Sequence, residues 1–576
     1  MTPALAGVEK NTRNVMGLER RLGLAALSGF LLTLAFPRWN LWPLAWVALV
    51  PLFYSLDQAR NRKESFWLGL TAGFVFFLLS ISWLRHVTVF GMFFVVTMEA
   101  LYWGVLGLLA KKGIPAMVLA ASWVALEFIR SEIPVWGFGW NLLGASQASN
   151  LWLAQLASLG GIYSVSFLVF LGNRVIYSFL RNGIKNELLR VFLFSLLAAA
   201  SVLFGWSRFE SFAPHSFLRV SVLQGNIPQL LKWEKSYREE ILKIYLNLTE
   251  LASYDAPDLI VWPEAAYPGF FNREAEADRV KELVQKIEIP LLVGSPHEEE
   301  RGFYNSAYLL NRSGEIQDRY DKIRLVPFGE YVPWKPIFGF LEPYAYALGV
   351  SDFSAGKGLT VFNLNEPKLH FSTLICFEDT FPGLARKFVD RGADFLTVIT
   401  NDAWFGHSSA PYQHLQASIF RAIENGVPVI RAANTGVSGF ITSRGQVAEK
   451  VRNQEGKDTF MMGGMTYPIA LTKETTLYRR GGWFFPYVCL ITLGTVLAGT
   501  LFRKKGERSV PGRTVPGLAA LVFLLLIVGT GCIRFAGGAF YAKKGKEGEP
   551  AKVKEIYVDT NELLPGQKQA PGKVEV

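Results

Sequence analysis

Apolar positions follow two different rules along this chain. From about residue 22 to 206 they form long, nearly uncharged runs, at about 22–37, 39–56, 65–84, 88–110, 114–130, 154–180 and 190–206. Runs of this kind predict membrane-crossing helices. From 207 to 480 the apolar runs shorten and become β-rich, as in LRVSVLQGNI, DLIVWPE, IPLLVGSP, LHFSTLICFE and ADFLTVITND. Amphipathic stretches such as EADRVKELVQKIE lie between some of them. That alternation predicts an α/β domain whose sheet is covered by helices. A run at about 483–502 predicts an eighth helix, and 517–534 could cross as a ninth. The polar tail, 535–576, has too little apolar surface to fold alone and is expected to be disordered.

Basic residues orient these segments. The N-terminal segment, 1–21, carries Lys10, Arg13, Arg20 and Arg21. Together with the first apolar run, which ends at Pro37, it looks like a signal peptide. No small-x-small cleavage site follows and further apolar runs come at once, so we read it as a retained helix. Arg60, Arg62 and Lys63, then Lys111 and Lys112, then Arg181, Lys185 and Arg190 mark alternate loops as cytoplasmic. Seven crossings over 22–206 then leave 207–480 outside, and 483–502 returns the chain to a basic cytoplasmic loop, 503–516.

Composition agrees with a membrane protein that also carries a water-facing domain. Half of the 576 residues are hydrophobic and 19% are charged, and the mean hydropathy is +0.23. The net charge of +11 is accounted for by cytoplasmic loops, and no nucleic-acid partner is expected. Three cysteines, Cys376, Cys489 and Cys532, are too scattered for a disulfide framework or a zinc site. The six histidines do not cluster, so no metal is expected.

Three strand ends carry residues with chemical potential. DLIVWPE delivers Glu264, YDKIRLVPFGEYVP contributes Lys322 and Glu330, and STLICFED delivers Cys376. Singly, each has an ordinary explanation: a solvated turn acid, a surface lysine, a small core cysteine. Together they supply a base, a cation and a thiol. A thiol reacts as its thiolate, a neighbouring carboxylate can take its proton, and an ammonium favours both thiolate and oxyanion. The N–H of Phe377 is a candidate second oxyanion donor. This set suffices for acyl transfer through a thioester.

WPE, K…VPFGEYVP and CFED, in this order, resemble the Glu-Lys-Cys triad of the nitrilase (carbon–nitrogen hydrolase) superfamily. Within it, VLQGNIPQLLKW (222–233), TNDAWFG (400–406), RAANTG (431–436) and ASWVALEFIR (121–130) resemble the apolipoprotein N-acyltransferase family. The resemblance covers roughly 20–505. It implies an αββα nitrilase-like domain in the periplasm on an eight-helix base in the bacterial inner membrane. It further implies that Cys376 takes an acyl chain from the sn-1 position of a phospholipid, with phosphatidylethanolamine the expected donor. The N-terminal amine of an S-diacylglyceryl-cysteine apolipoprotein then collects it, in a ping-pong reaction without a cofactor. Glu264 would be the base and Lys322 the oxyanion stabiliser. Glu330 and Glu378 match supporting acids, and Trp233 matches a residue of a mobile arm. Phe377 departs from the tyrosine often found there, so a hydroxyl contact is missing.

The aromatic, Pro- and Gly-rich stretch 331–353, with Trp334, Phe338 and Tyr344, is expected to be an interfacial lid, and 403–413, with Trp404, a second loop of this kind. Glu99 and Glu127 should face the helix bundle, Glu127 pairing with Arg130 at i,i+3. WGFGWNLLGASQ (136–147) is expected to line the outer mouth of the bundle. The run ending in GTGC resembles an internal lipoprotein signal at Cys532, but Gly529 stands where such signals want a larger apolar side chain, which favours a plain ninth helix. Two other functions use parts of the same pattern. A membrane-anchored amidase would use the same triad without needing eight spans. A transporter with an outer binding domain would show interrupted half-segments and more intramembrane charge.

Overall fold

The computed structural model describes residues 16–110, 114–132, 137–300, 302–332, 335–339, 352–501 and 554–556. Among these, seven helices of eight residues or more precede the first strand. They are α1 (Leu18–Leu34), α2 (Val50–Asp57), α3 (Arg62–Ser80), α4 (Val89–Leu109), α5 (Ala116–Glu132), α6 (Ile162–Asn182) and α7 (Ile184–Glu210). The apolar run at 39–56 is not one helix. A 3₁₀ turn, Trp42–Trp46, precedes α2, and a proline sits in the first turn of each, where its missing N–H leaves no bond unmade. Asn61 caps α3 by accepting from the Glu64 N–H at 2.9 Å. Helices α3 and α4 approach very closely. A Cβ on Gly69 would lie 2.2 Å from the Trp103 carbonyl and one on Gly107 2.1 Å from that of Ser65, the small-residue contact typical of helices packed in lipid.

Helices α4, α6 and α7 are long and apolar enough to cross a membrane. Along α7, Leu188, Leu189, Phe192, Leu193, Leu196 and Leu203 are exposed, a continuous apolar face that water would not tolerate cheaply. The charged pair inside the bundle differs from the one sequence spacing suggests. Arg130 bonds Glu99, at 2.9 Å, while Glu127 accepts the Leu143 N–H at 2.6 Å. Arg130 also donates to the carbonyls of Phe138, Trp140 and Asn141. Reaching those carbonyls turns the guanidinium off its own helix, so the i,i+3 pair does not form.

The α/β half contains two sheets. In the first, β1 (Ser216–Gln224), β2 (Leu259–Val261), β3 (Leu291–Glu299), β4 (Gly302–Leu310) and β5 (Ile316–Asp321) follow in chain order, with β12 (Gly463–Leu471) on the other side of β1. Lys554–Ile556 pairs antiparallel with Gly464–Thr466 at that edge. The second sheet runs β11 (Val447–Lys450), β10 (Gly439–Ile441), β9 (Val429–Ala433), β8 (Phe395–Thr400), β7 (Leu369–Ile375), β6 (Phe362–Leu364). Strands β1, β2 and β3 are parallel to one another, as are β7, β8 and β9.

Alternation explains the layers. Leu259, Val261 and Leu292 point into the core between the sheets. Ile260, Leu291 and Val293 point outward, beneath α8 (Arg238–Ser253) and α9 (Ala277–Ile287). Both faces are therefore buried, which is why these strands read as unbroken apolar runs. Each buried Val or Leu contributes about 1.5–3 kcal/mol. Helices α10 (Pro382–Asp390) and α11 (Ala410–Asn425) pack on the second sheet, and α12 (Phe485–Leu501) returns to lie against α5.

The two halves are joined by buried polar contacts. Gln413 on α11 accepts from the Trp83 indole at 2.9 Å and donates to the Ser80 carbonyl at 2.8 Å. Glu424, at the other end of α11, accepts the first N–H of α6, from Ile162, at 2.9 Å, where the helix dipole favours a carboxylate.

Candidate active site

Glu264, Lys322 and Cys376 each stand just beyond a strand. Glu264 follows β2 after Trp262 and Pro263, and Ala265 behind it has φ +47°. The turn needs room. A Cβ on Gly294 of β3 would meet the Pro263 carbonyl at 2.1 Å, so only glycine lets β3 run this close. One Glu264 oxygen accepts from Asn305 Nδ2 at 2.7 Å and the other from the Asn401 N–H at 2.9 Å.

Lys322 is the first residue after β5, and its N–H donates to the Asn305 carbonyl at 2.8 Å. Its ammonium, buried, lies 2.9 Å from Glu330 Oε1 and 3.5 Å from Glu264 Oε1. Asn305 Nδ2 reaches Glu330 too, at 2.8 Å. Glu330 Oε2 accepts the Val326 N–H at 2.8 Å, closing the loop after Lys322. Burial by itself would lower the Lys322 pKa. The charges of Glu330 and Glu264 outweigh it, and the net shift is upward, so the side chain stays an ammonium.

Cys376 directly follows β7 and opens the 3₁₀ turn Cys376–Thr380, with φ +53°. A non-glycine residue there is strained, and a fixed environment has to hold it. Glu378 does much of this. Fully buried, it accepts from the Tyr320 hydroxyl at 2.8 Å and from the N–H groups of Ile323 (2.7 Å), Arg324 (3.0 Å) and Ile375 (2.9 Å). It thus ties the loop carrying Lys322 in the first sheet to the nucleophile turn in the second. Burial still pushes its pKa up to about 7.

The Cys376 thiol feels the charges of Glu264 and Lys322 directly. Burial and the Glu264 charge push its pKa up, and Lys322 offsets this in part. The resting form is therefore a neutral thiol next to a carboxylate and an ammonium, an arrangement suited to proton transfer during attack rather than before it.

Beneath the turn lies a second charged cluster. His414 Nδ1 is 2.9 Å from Asp402, and its Nε2 is 3.0 Å from Asp379 and 3.2 Å from the Cys376 carbonyl. Arg431 reaches Asp379 at 3.1 Å and Asp402 at 3.2 Å. Burial and Arg431 disfavour a charged His414, yet Asp379 and Asp402 prevail and raise its pKa to about 9. Burial would raise Asp402, but His414 and Arg431 hold it down to about 2. The Trp140 ring lies 5.3 Å from that of His414, and a Cβ on Gly139 would sit 3.0 Å from the Thr380 carbonyl. Gly139 and Trp140, from the segment expected to line the bundle mouth, thus pack under the nucleophile turn, while Arg130 gathers the carbonyls of Phe138, Trp140 and Asn141.

Phe377 is buried edge-on to Phe381, ring centres 5.0 Å apart. Trp233 is 46% exposed and Trp404 half-buried. Phe338 ends a four-residue helix, Lys335–Phe338. Trp334, Tyr344 and most of the proposed lid lie outside the described residues, as does Cys532. Sequence reading missed Lys232, Asn305, Asn401 and the His414 cluster. Asn305 carried one signal, a polar residue on the buried face of an apolar strand; Lys232 and Asn401 lie in loops, while His414 sits on α11 and Arg431 on β9.

Two family descriptions match this chain in order. Residues 28–175 match the apolipoprotein N-acyltransferase N-terminal domain and residues 219–463 the carbon-nitrogen hydrolase family. An apolipoprotein N-acyltransferase of Geobacter metallireducens is 36% identical over 509 residues, covering 84% of this chain and 95% of that one. One from Chlorobaculum tepidum is 31% identical, covering 85% and 98%. Among solved structures, an amidase from Nesterenkonia sp. AN1 aligns with a TM-score of 0.34 and 19% identity, over 45% of this chain and 93% of that one. A Saccharomyces cerevisiae member of the nitrilase superfamily aligns with a TM-score of 0.34 and 16% identity, over 52% and 99%. With both regions present in sequence order and relatives matched along nearly their whole length, the chain belongs to the apolipoprotein N-acyltransferase family.

Proposed function

We propose that Cys376 carries an acyl group from the sn-1 position of a phospholipid, phosphatidylethanolamine in the first instance, to the N-terminal amine of a diacylated apolipoprotein. N-acylation of apolipoproteins is the activity of the family. The donor, the order of steps and the residue roles are our reading. The observation that carries it is the meeting of a carboxylate, an ammonium and a thiol at three strand ends, in a chain whose other half is apolar helices.

Each step balances. Sγ attacks the ester carbonyl while Glu264 takes the thiol proton, and Lys322 holds the oxyanion. Collapse expels the lysophospholipid oxygen as an alkoxide, which takes the proton from Glu264 and leaves as a hydroxyl. The acceptor amine, in its neutral form, then attacks the thioester. Glu264 takes the amine proton and returns it to the departing sulfur. Glu330 and Glu378 hold the loop and the turn that present Lys322 and Cys376.

We further read eight spans, seven within 22–206 and one at 483–502, with 207–480 on the periplasmic face of the inner membrane. The aromatic segments around Trp233, Trp334, Phe338, Tyr344 and Trp404 would then meet the lipid surface. An amidase reading shares the triad, but the exposed apolar face of α7 gives it no use. The test is a two-stage assay on the purified chain. Labelled phospholipid should leave a hydroxylamine-sensitive label on the wild type and none on Cys376→Ala. A synthetic diacylated lipopeptide should then remove the label by becoming N-acylated. Labelling of Cys376→Ala equal to wild type would overturn the proposal.

A further inference from the structure

The segment between β1 and α8 holds a charged residue that the steps above leave unused. Lys232 is 1% exposed, and its ammonium donates to the backbone carbonyl of Glu264 at 2.9 Å. An ammonium has three donors to satisfy and is costly to bury, whereas methionine would fill similar space without charge. Packing alone therefore does not call for lysine here.

The same segment is fastened to the site a second time. Asn401 Nδ2 donates to Gln229 at 2.7 Å, and the Asn401 N–H holds the Glu264 carboxylate at 2.9 Å. Glu264 is thus gripped at both ends, by Asn401 at the carboxylate and by Lys232 at the carbonyl. Charge points the same way. Glu264 and Glu330 are balanced by Lys322 and Lys232, and Lys322 is already shared between both acids. Glu378 is satisfied by its hydrogen-bond donors, and Asp402 by His414 and Arg431. Without Lys232, the pocket would carry excess negative charge where Cys376 has to become anionic. Burial pushes the Lys232 pKa down to about 8, against the opposing charges of Glu264 and an anionic Cys376, so the side chain is still mainly an ammonium at neutral pH.

We infer that Lys232 is a positioning residue of this site: it clamps the turn that presents Glu264 and supplies the second positive charge under which Cys376 reacts. The inference rests on the proposed roles of Glu264 and Cys376. Three variants separate its parts. Lys232→Met removes charge and donor, Lys232→Gln keeps a donor without charge, and Lys232→Arg keeps charge.

Full-length protein in detergent micelles is alkylated with iodoacetamide at about pH 7, and the rate of Cys376 modification is read by peptide mass spectrometry beside thermal melting. We expect alkylation at this pH to slow about tenfold in the Met and Gln variants and to stay near wild type in the Arg variant. Thioester formation from labelled phospholipid at neutral pH should fall about tenfold in the first two. An unchanged alkylation rate in a folded Met or Gln variant overturns the inference, and so does loss of the fold in both, which would make Lys232 a structural cation. Failure of the wild type to form a thioester on Cys376 would instead overturn the proposed function, since the alkylation rates remain readable.

Discussion

Two buried charge clusters lie on either side of the nucleophile turn, and their ingredients are nearly alike. In front are Glu264, Glu330, Lys322 and Lys232 around Cys376. Behind are Asp379, Asp402, His414 and Arg431, closed on one another and on Ser418. The rear cluster pairs two acids with two cations at 2.9–3.2 Å and is sealed from solvent. In the front cluster Lys322 alone reaches both carboxylates, Lys232 reaches only a backbone carbonyl, and a strained, partly buried thiol stands at the edge. Buried charge alone therefore does not identify the chemistry. A cluster with spare bonding capacity and a reactive atom can act on a substrate, while one with every charge matched serves as a foundation.

The sharpest way to break this contrast is to remove the reacting groups. Cys376→Ala should abolish thioester labelling and acyl transfer, a loss of at least about 10³-fold, with little change in melting. Glu264→Gln should slow thioester formation by about 10²–10⁴-fold, read in single-turnover labelling. Lys322→Met should cost about 10²–10³-fold, roughly 3 kcal/mol of transition-state stabilisation.

The rear cluster should answer differently. Arg431→Met leaves two acids with one cation, and should lower stability by about 3–5 kcal/mol. Turnover per folded molecule should change less than in Glu264→Gln. A variant that melts like wild type but cannot form the thioester would erase the distinction.

The smallest effect is a pH dependence of stability. His414 has its folded pKa raised to about 9 by Asp379 and Asp402 over the opposing effects of burial and Arg431. Its contribution is fully present below the unfolded value of about 6.5 and is lost as pH rises through about 9. Asp402, held down to about 2, contributes above about 4 and loses that as pH falls through about 2. The melting temperature should therefore decline from neutral to alkaline pH, and His414→Gln should flatten that decline. An equally steep decline in the variant would remove His414 from the account.

The sequence carried some of this plainly and some not at all. Short β-rich apolar runs such as the one through Ile260 and Val261, separated by amphipathic stretches, made the α/β half legible. The residues just past those strands, Glu264, Lys322 and Cys376, stood out because polar groups at the ends of buried strands need a reason. Lys232 and Asn401 sit in the motif stretches 222–233 and 400–406, yet nothing marked them singly, since each gains its meaning from a partner far away in the chain. Arg130 shows the same limit in the helices. Spacing favoured Glu127, but the geometry of the loop carbonyls selected Glu99. Periodicity reports which face is buried; it does not report which of two buried acids a long side chain will choose.

Glu378 joins loop and turn across the two sheets. Lys322 and Cys376 consequently travel as one body, and the spacing between the oxyanion's cation and the sulfur cannot be adjusted by sliding one sheet on the other. Any accommodation of longer or shorter acyl chains has to come from the walls around this body. Variants selected for a new chain length should accordingly accumulate in the surrounding loops and leave the Glu378 junction untouched.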